Sequence, residues 1–134
     1  MLALVLAAVL GCADLCSADA VTHYAALLEQ GGYGRLPFER AGFLIRESDG
    51  TITLEPWQSF GFQRASSRLP IPAGAIAIAH THPLASREPS AGDRETARQV
   101  GLPVIVITPN GVVAVLPDGS RRQFVTGRNW SAAR

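Results

Sequence analysis

Alternation of apolar and polar positions predicts the secondary structure along most of this chain. Short apolar runs bounded by turn signals indicate six strands, at residues 41–48, 51–57, 75–82, 102–109, 112–117 and 121–125. Asp49-Gly50, Asn110-Gly111 and Asp118-Gly119 stand between consecutive strands and predict tight hairpin turns. The run LPVIVITP, at 102–109, has no polar face and is typical of a strand buried on both sides.

Two segments have the signals of short helices. The first, Asp19 to Gly32, is amphipathic, with Asp19 or Thr22 as its N-cap and two glycines at its end. The second begins at Ser90 as N-cap and ends before Gly101. The order helix, hairpin, strand, helix and three strands predicts an α/β (α+β) fold, a mixed curved β-sheet flanked by helices.

Composition divides the chain into a leader, residues 1–20, and a single domain, residues 21–134. Leu2 to Leu10 is apolar throughout, has the length of a signal-peptide core and is too short to span a bilayer. Cleavage after Ala20 would release an exported domain, whereas the segment VLGC resembles a lipoprotein box and would leave a lipid anchor on Cys12. No basic residue precedes the apolar run. The alternative to a periplasmic, secreted or lipid-anchored protein is therefore a cytoplasmic one whose N-terminal helix packs on the domain.

Composition also excludes several kinds of chemistry. The net charge of +1 and the pI of about 7.9 provide no basic field for nucleic acid. All twelve cationic residues are arginines, so there is no lysine to form a Schiff base or to activate a nucleophile. Both cysteines, Cys12 and Cys16, lie in the predicted leader. A domain that starts at Val21 would have no disulfide, no thiolate ligand and no cysteine nucleophile.

The candidate chemistry lies in AHTHPLASREPSAGD, residues 79–93. Residues two apart in a strand share a face, so His80 and His82 continue the face of Ile76 at the strand's end. Two imidazoles and the carboxylate of Asp93 would give zinc three protein ligands and leave a fourth position for water, the arrangement of catalytic sites.

Each part of this stretch also has a plain structural explanation. Two histidines at a strand end are commonly surface residues, and Ser90-x-x-Asp93 ahead of a helix is close to a capping box. A zinc hydrolase further requires a general base near the metal but not bound to it. The candidate glutamates are Glu39, Glu47, Glu55, Glu88 and Glu95. Position in the chain disfavours Glu88 and Glu95, and it does not place Glu39 over the metal.

Spacing of these residues resembles that of a known family. His80, His82, Ser90 and Asp93 fill H-x-H-x7-S-x2-D, which resembles the signature of the JAMM/MPN+ (JAB domain) metalloproteases. The segment ERAGFLI, which starts at Glu39, resembles the family's upstream E-x-x-G motif. The short length and the C-terminal LPVIVITPNGVVAVLPDG are similar to the bacterial JAB-like branch.

The resemblance implies a zinc-dependent metallopeptidase or isopeptidase whose substrate is a peptide or a protein. It implies that His80, His82 and Asp93 bind Zn²⁺, that Glu39 activates the zinc-bound water, and that Ser90 stabilises the oxyanion. It assigns no oligomeric state. The alternative is a non-catalytic binding or scaffold domain of the same fold. A nucleotide deaminase would need H-x-E and P-C-x-x-C, and both motifs are absent from this sequence.

Overall fold

A computed structural model describes residues 13–35, 39–57, 70–82, 88–128 and 130–133. Part of the predicted leader, including Cys12, lies outside these residues. The regular elements, in chain order, are α1 (Ala18–Gln30), β1 (Ala41–Arg46), β2 (Ile52–Pro56), β3 (Ala75–Thr81), α2 (Ala91–Val100), β4 (Val104–Thr108), β5 (Gly111–Val115) and β6 (Arg121–Thr126). Short 3₁₀ turns span Gly32–Gly34 and Trp130–Ala133. Among these residues no helix is both long and apolar enough to cross a bilayer.

The six strands form one mixed sheet in the order β2-β1-β3-β4-β5-β6. β3 and β4, which α2 connects, are parallel, and every other neighbouring pair is antiparallel. The predicted fold class and the three hairpin pairings are therefore confirmed. Every residue of β4 is buried, as its continuous apolar run predicts.

The two helices cover opposite faces of the sheet. α1 supplies several of the largest side chains of the larger core, since Val21, Tyr24, Leu27 and Leu28 pack against the central strands. Only Ala97 of α2 is fully buried, and it packs in a smaller cluster with Phe43, Ile78, Val104 and Val115. Burial of each large apolar side chain contributes about 1.5–3 kcal/mol, so α1 carries much more of the stability than α2.

The start of α1 differs from its prediction. Its N-cap is Ser17, whose hydroxyl accepts the Ala20 N–H at 3.1 Å, rather than Asp19 or Thr22. The Asp19 carboxylate instead accepts the N–H of Ile52 in the edge strand β2, at 2.8 Å. The predicted helix stop is confirmed, because α1 ends at Gln30.

Residues of the predicted leader take part in this fold. Leu15 and Ala20 are buried in the larger core, and the Tyr24 hydroxyl donates to the Leu15 carbonyl at 2.8 Å. The predicted boundary after Ala20 therefore falls within α1, one turn after its start.

A β-bulge interrupts the alternation of β3. Leu44 pairs with Ala77 and Ile45 pairs with Ala75, which leaves Ile76 as the additional residue. Ile76 packs against the core on the α1 face, whereas Ile78 packs on the α2 face. The prediction that Ile76 shares a face with His80 is therefore wrong, because the bulge reverses the alternation before Ala77.

Candidate metal centre

The two predicted histidine ligands lie where β3 ends. The rings of His80 and His82 are neighbours on one face, with centroids 4.8 Å apart. Because α2 is the crossover between the parallel strands β3 and β4, its N-terminus lies at this same edge of the sheet. The fold thereby brings Asp93, in the first turn of α2, next to both rings.

Asp93 bridges the two imidazoles. Its Oδ1 lies 2.9 Å from Nε2 of His80, and its Oδ2 lies 3.3 Å from Nε2 of His82. These three side chains are only 9–13% exposed. Two imidazole nitrogens and a carboxylate thus meet where little of any of the three side chains reaches solvent.

The capping box of α2 holds Asp93 in this position. The Ser90 N–H donates to Asp93 Oδ2 at 2.8 Å, and the Asp93 N–H donates to the Ser90 hydroxyl at 3.1 Å. The structural explanation of S-x-x-D is therefore correct, and the same aspartate also contacts the histidines. Ser90 uses its oxygen as an acceptor in this bond, so the cap does not consume the hydroxyl's own proton.

Glu39 joins the cluster from another part of the chain. Its Oε1 lies 3.4 Å from Nδ1 of His80 and 4.0 Å from Nε2 of His82, and its side chain is 16% exposed. Ligand atoms of Glu39, His80 and His82 all lie within 4.8 Å of one another. The carboxylate is therefore close enough to act on anything bound between the rings.

The other four candidate glutamates have different partners. Glu47 accepts a hydrogen bond from Thr53, and Glu95 pairs with Arg98 along α2. Glu88 forms a two-bond ion pair with Arg121 of β6, and Glu55 is exposed on β2. Tertiary structure thus brings Glu39 to the histidines and keeps the other four glutamates away from them, whereas position in the sequence disfavoured only Glu88 and Glu95.

Close packing of β1 against β2 explains why the E-x-x-G segment has a glycine at position 42. Gly42 lies in β1 directly opposite Pro56, and a Cβ added to it would lie 2.7 Å from the Glu55 carbonyl oxygen. A larger residue would push β1 and β2 apart. Because Glu39 enters the sheet through β1, such a shift would also move the carboxylate.

His80 and Asp93 change each other's protonation. Burial by itself lowers the pKa of His80, but the contacts with Asp93 and Glu39 outweigh it and raise that pKa to about 10. For Asp93 the directions are reversed. Burial by itself raises its pKa, but the contacts with His80, His82 and the Ser90 N–H outweigh burial and hold that pKa well below the usual range. The two groups therefore form a cation and an anion when no metal is bound.

This donor set fits a divalent metal. Among the described residues, neither ring nitrogen of His80 has a well-directed hydrogen-bond partner, although both are buried. A buried nitrogen without a directed partner is costly, and a metal ion would satisfy it. Two imidazoles with one carboxylate are a zinc ligand set, and metal binding would replace the proton on His80.

Two contacts near the centre have no counterpart in the sequence analysis. The Thr81 hydroxyl accepts the Arg40 N–H at 2.9 Å, next to Glu39. The Glu88–Arg121 pair joins the segment before Ser90 to β6 across 33 residues. A buried hydroxyl in an apolar strand was a usable signal for Thr81, but nothing local indicates the Arg121 pairing.

Comparison with known proteins agrees with this architecture. The family model described as prokaryotic homologs of the JAB domain matches residues 23–125, which is most of the chain. No curated protein and no solved structure gives a significant match. JAB-like domains include hydrolases, and the Glu39–His80–His82 group is compatible with a family that binds a metal ion. On its fold, its metal-compatible cluster and the extent of the match, the chain belongs to the prokaryotic JAB-domain family.

Proposed function

We propose that this chain is a zinc-dependent peptidase or isopeptidase that hydrolyses a C–N bond of a peptide or protein. The observation that carries the proposal is the convergence of Glu39, His80, His82 and Asp93 in one mostly buried cluster. A surface pair of histidines beside an ordinary helix cap would not need a second carboxylate from the segment before β1.

Contact geometry supports different roles for the two carboxylates. Asp93 faces Nε2 of both His80 and His82, so these three side chains form the proposed ligand set. Glu39 approaches His80 from the opposite ring nitrogen, Nδ1. The same Glu39 oxygen lies 4.0 Å from Nε2 of His82, a longer contact than the 3.3 Å of Asp93, so Glu39 lies beside the proposed ligand set rather than in it.

Zinc held by these three side chains would act as a Lewis acid and would lower the pKa of a bound water towards neutrality. In the proposed reaction Glu39 takes the proton of the attacking water and returns it to the leaving nitrogen. The Ser90 hydroxyl donates a hydrogen bond to the carbonyl oxygen as that atom gains negative charge. One such donor typically lowers the barrier by about 3 kcal/mol.

Metal content is the first test. Protein purified at micromolar zinc is expected to hold one zinc per chain by elemental analysis, and His80→Ala, His82→Ala and Asp93→Ala are each expected to lose it. His23→Ala is the matched control, because His23 lies on α1 and bonds the Ile52 carbonyl. Wild-type protein that holds no zinc under these conditions would contradict the proposal.

Hydrolysis is the second test. A library of peptides and isopeptide-linked peptides is incubated with zinc-loaded protein, with and without a chelator. Glu39→Gln is expected to abolish cleavage while zinc is retained, and Glu55→Gln, an exposed glutamate on β2, to leave it unchanged. Zinc-loaded wild-type protein that cleaves no member of the library would favour the non-catalytic binding or scaffold domain.

Export is a separate proposal. Cleavage before Cys12 keeps Ser17 and Leu15, whereas cleavage after Ala20 removes the α1 cap and a core residue. The fold therefore favours the lipid-anchored form over the form cleaved after Ala20. Mass spectrometry of the mature N-terminus distinguishes the two forms from an uncleaved cytoplasmic chain.

A further inference from the structure

We propose that Thr81 is a positioning residue that holds Glu39 beside the metal centre; this inference rests on the proposed hydrolytic function. Thr81 lies between the two histidines in sequence. Its side chain points to the α1 face, whereas those of His80 and His82 lie on the α2 face, where Asp93 and Glu39 meet them. It is 1% exposed and contacts none of the proposed ligands through its hydroxyl.

Two hydrogen bonds join Thr81 to Arg40, the residue after Glu39. The Thr81 hydroxyl accepts the Arg40 N–H at 2.9 Å, and the Thr81 N–H donates to the Arg40 carbonyl at 2.8 Å. The second bond belongs to the backbone and would form with any residue at position 81. The first requires an acceptor on the side chain at position 81, which the threonine hydroxyl supplies and an apolar side chain of the same shape does not.

Close packing of α1 encloses this hydroxyl. A Cβ added to Gly31, the C-cap of α1, would lie 3.1 Å from Thr81 Oγ1. Arg40 is tied to the same helix end, because its Nε donates to the Gln30 carbonyl at 3.4 Å. Little room is left for water to replace the hydroxyl if it is removed, and the Arg40 N–H would lose its acceptor.

Loss of this bond should affect the base and spare the metal. Glu39 is linked to Thr81 through a single residue, whereas the ligands His80, His82 and Asp93 are held by β3 and by the α2 cap. A displacement of about 1 Å at a reacting group can reduce the rate about a hundredfold. The hydroxyl of Thr81 therefore acts on catalysis only through the position of Glu39.

Three variants test this. Thr81→Val keeps the shape and removes the hydroxyl, and Thr81→Ser keeps the hydroxyl. Thr108→Val is the matched control, since Thr108 is buried at the end of the adjacent parallel strand and its hydroxyl accepts the Asn110 N–H. On a peptide from the library that the wild type cleaves, Thr81→Val is expected to lower kcat about 10- to 100-fold, with KM and zinc content unchanged. The kcat of Thr81→Ser is expected to stay within about threefold of the wild-type value. The kcat of Thr108→Val is expected to equal the wild-type value.

A measurement that needs no activity tests the hydrogen bond itself. Amide hydrogen exchange at Arg40, in the zinc-loaded protein, is expected to be at least about tenfold faster in Thr81→Val and unchanged in Thr81→Ser and Thr108→Val. If Arg40 exchanges in Thr81→Val at the wild-type rate, the inference is wrong. It is also wrong if Arg40 exchanges faster in Thr81→Val but kcat is unchanged. A wild-type protein that binds zinc and cleaves nothing refutes the proposed function instead, while the exchange experiment still decides whether Thr81 holds Arg40.

Discussion

α1 and α2 both begin at a serine N-cap, and both have an aspartate in the first turn that lies near histidine. At α1 these residues stabilise the fold. Asp19 accepts the Ile52 N–H and Nε2 of His23 bonds the Ile52 carbonyl, so α1 satisfies both backbone groups of one residue in the edge strand β2. At Ile52, these bonds occupy backbone groups of an edge strand that would otherwise be open to pairing.

At the start of α2, the aspartate has side-chain partners instead. Asp93 is 13% exposed and faces two ring nitrogens, whereas Asp19 is 51% exposed and faces an amide. An amide needs only an acceptor, but buried imidazoles can exchange a proton for a metal. The two helix starts are alike in sequence, and tertiary structure alone decides that one carboxylate bonds a backbone amide while the other lies between two imidazoles.

Removal of residues 1–20, which eliminates the start of α1 and leaves that of α2 intact, should have the largest effect on the free energy of unfolding. It deletes the Ser17 cap, the Asp19 bond to β2 and the buried Leu15, so the chain 21–134 is expected to lose at least about 4 kcal/mol relative to the chain 13–134. Urea unfolding followed by circular dichroism measures the difference. Equal midpoints for the two chains would show that the start of α1 has no structural role.

The effect of zinc on stability should depend on Asp93 and not on Asp19. At a zinc concentration of about 100 times Kd, the wild-type free energy of unfolding is expected to rise by about 2.7 kcal/mol. Asp93→Ala should abolish this rise, whereas Asp19→Ala should keep it on a lower baseline. Thermal unfolding with and without zinc provides the measurement, and a zinc response retained in Asp93→Ala would remove Asp93 from the ligand set.

Asp19→Ala should lower zinc-free stability by about 1–2 kcal/mol, because the Ile52 N–H loses its acceptor and the N-terminus of α1 loses a negative charge. Asp19→Asn keeps an acceptor oxygen and should recover most of the loss. Chemical denaturation of the three proteins in the presence of a chelator measures both effects. An unchanged midpoint for Asp19→Ala would mean that the bond to β2 is not stabilising.

The serine caps should show the smallest effects on stability, about 1 kcal/mol for each of Ser17→Ala and Ser90→Ala. Activity should distinguish them, because Ser90→Ala also removes the proposed oxyanion donor and is expected to lower kcat about 10²- to 10³-fold. Ser17→Ala should leave kcat unchanged. Equal kcat values for the two variants would restrict Ser90 to its capping role.

Local signals were sufficient for much of the fold. The hairpin at Asp49-Gly50, the cap at Ser90 and the buried run of β4 depend on residues close in sequence, so propensity and turn geometry predict them. Predictions failed where a non-local contact outweighed the local one. Asp19 is a good N-cap residue, but in the fold its carboxylate bonds β2 and Ser17 caps the helix.

The bulge at Ile76 and the partners of Glu39 have the same explanation. Strand alternation placed Ile76 beside His80, and only the pairing of β3 with β1 revealed the additional residue. Of the five candidate glutamates, position in the chain disfavoured two, and the E-x-x-G resemblance pointed to Glu39 without placing it at the metal. Sheet register places it there, because the pairing of Ala41 with His80 brings Glu39 to the end of β3.

The sequence by itself determined the strands and turns, the start of α2, and the residue types and spacing that a zinc site requires. Tertiary structure decided that Asp93 bridges His80 and His82, that Glu39 faces them, and that Thr81 holds the adjacent Arg40. The physical reason is the separation in sequence of the residues that interact. Caps and turns depend on interactions within four residues, whereas Glu39 and Thr81 are separated by about forty residues and meet only through the register of β1 on β3.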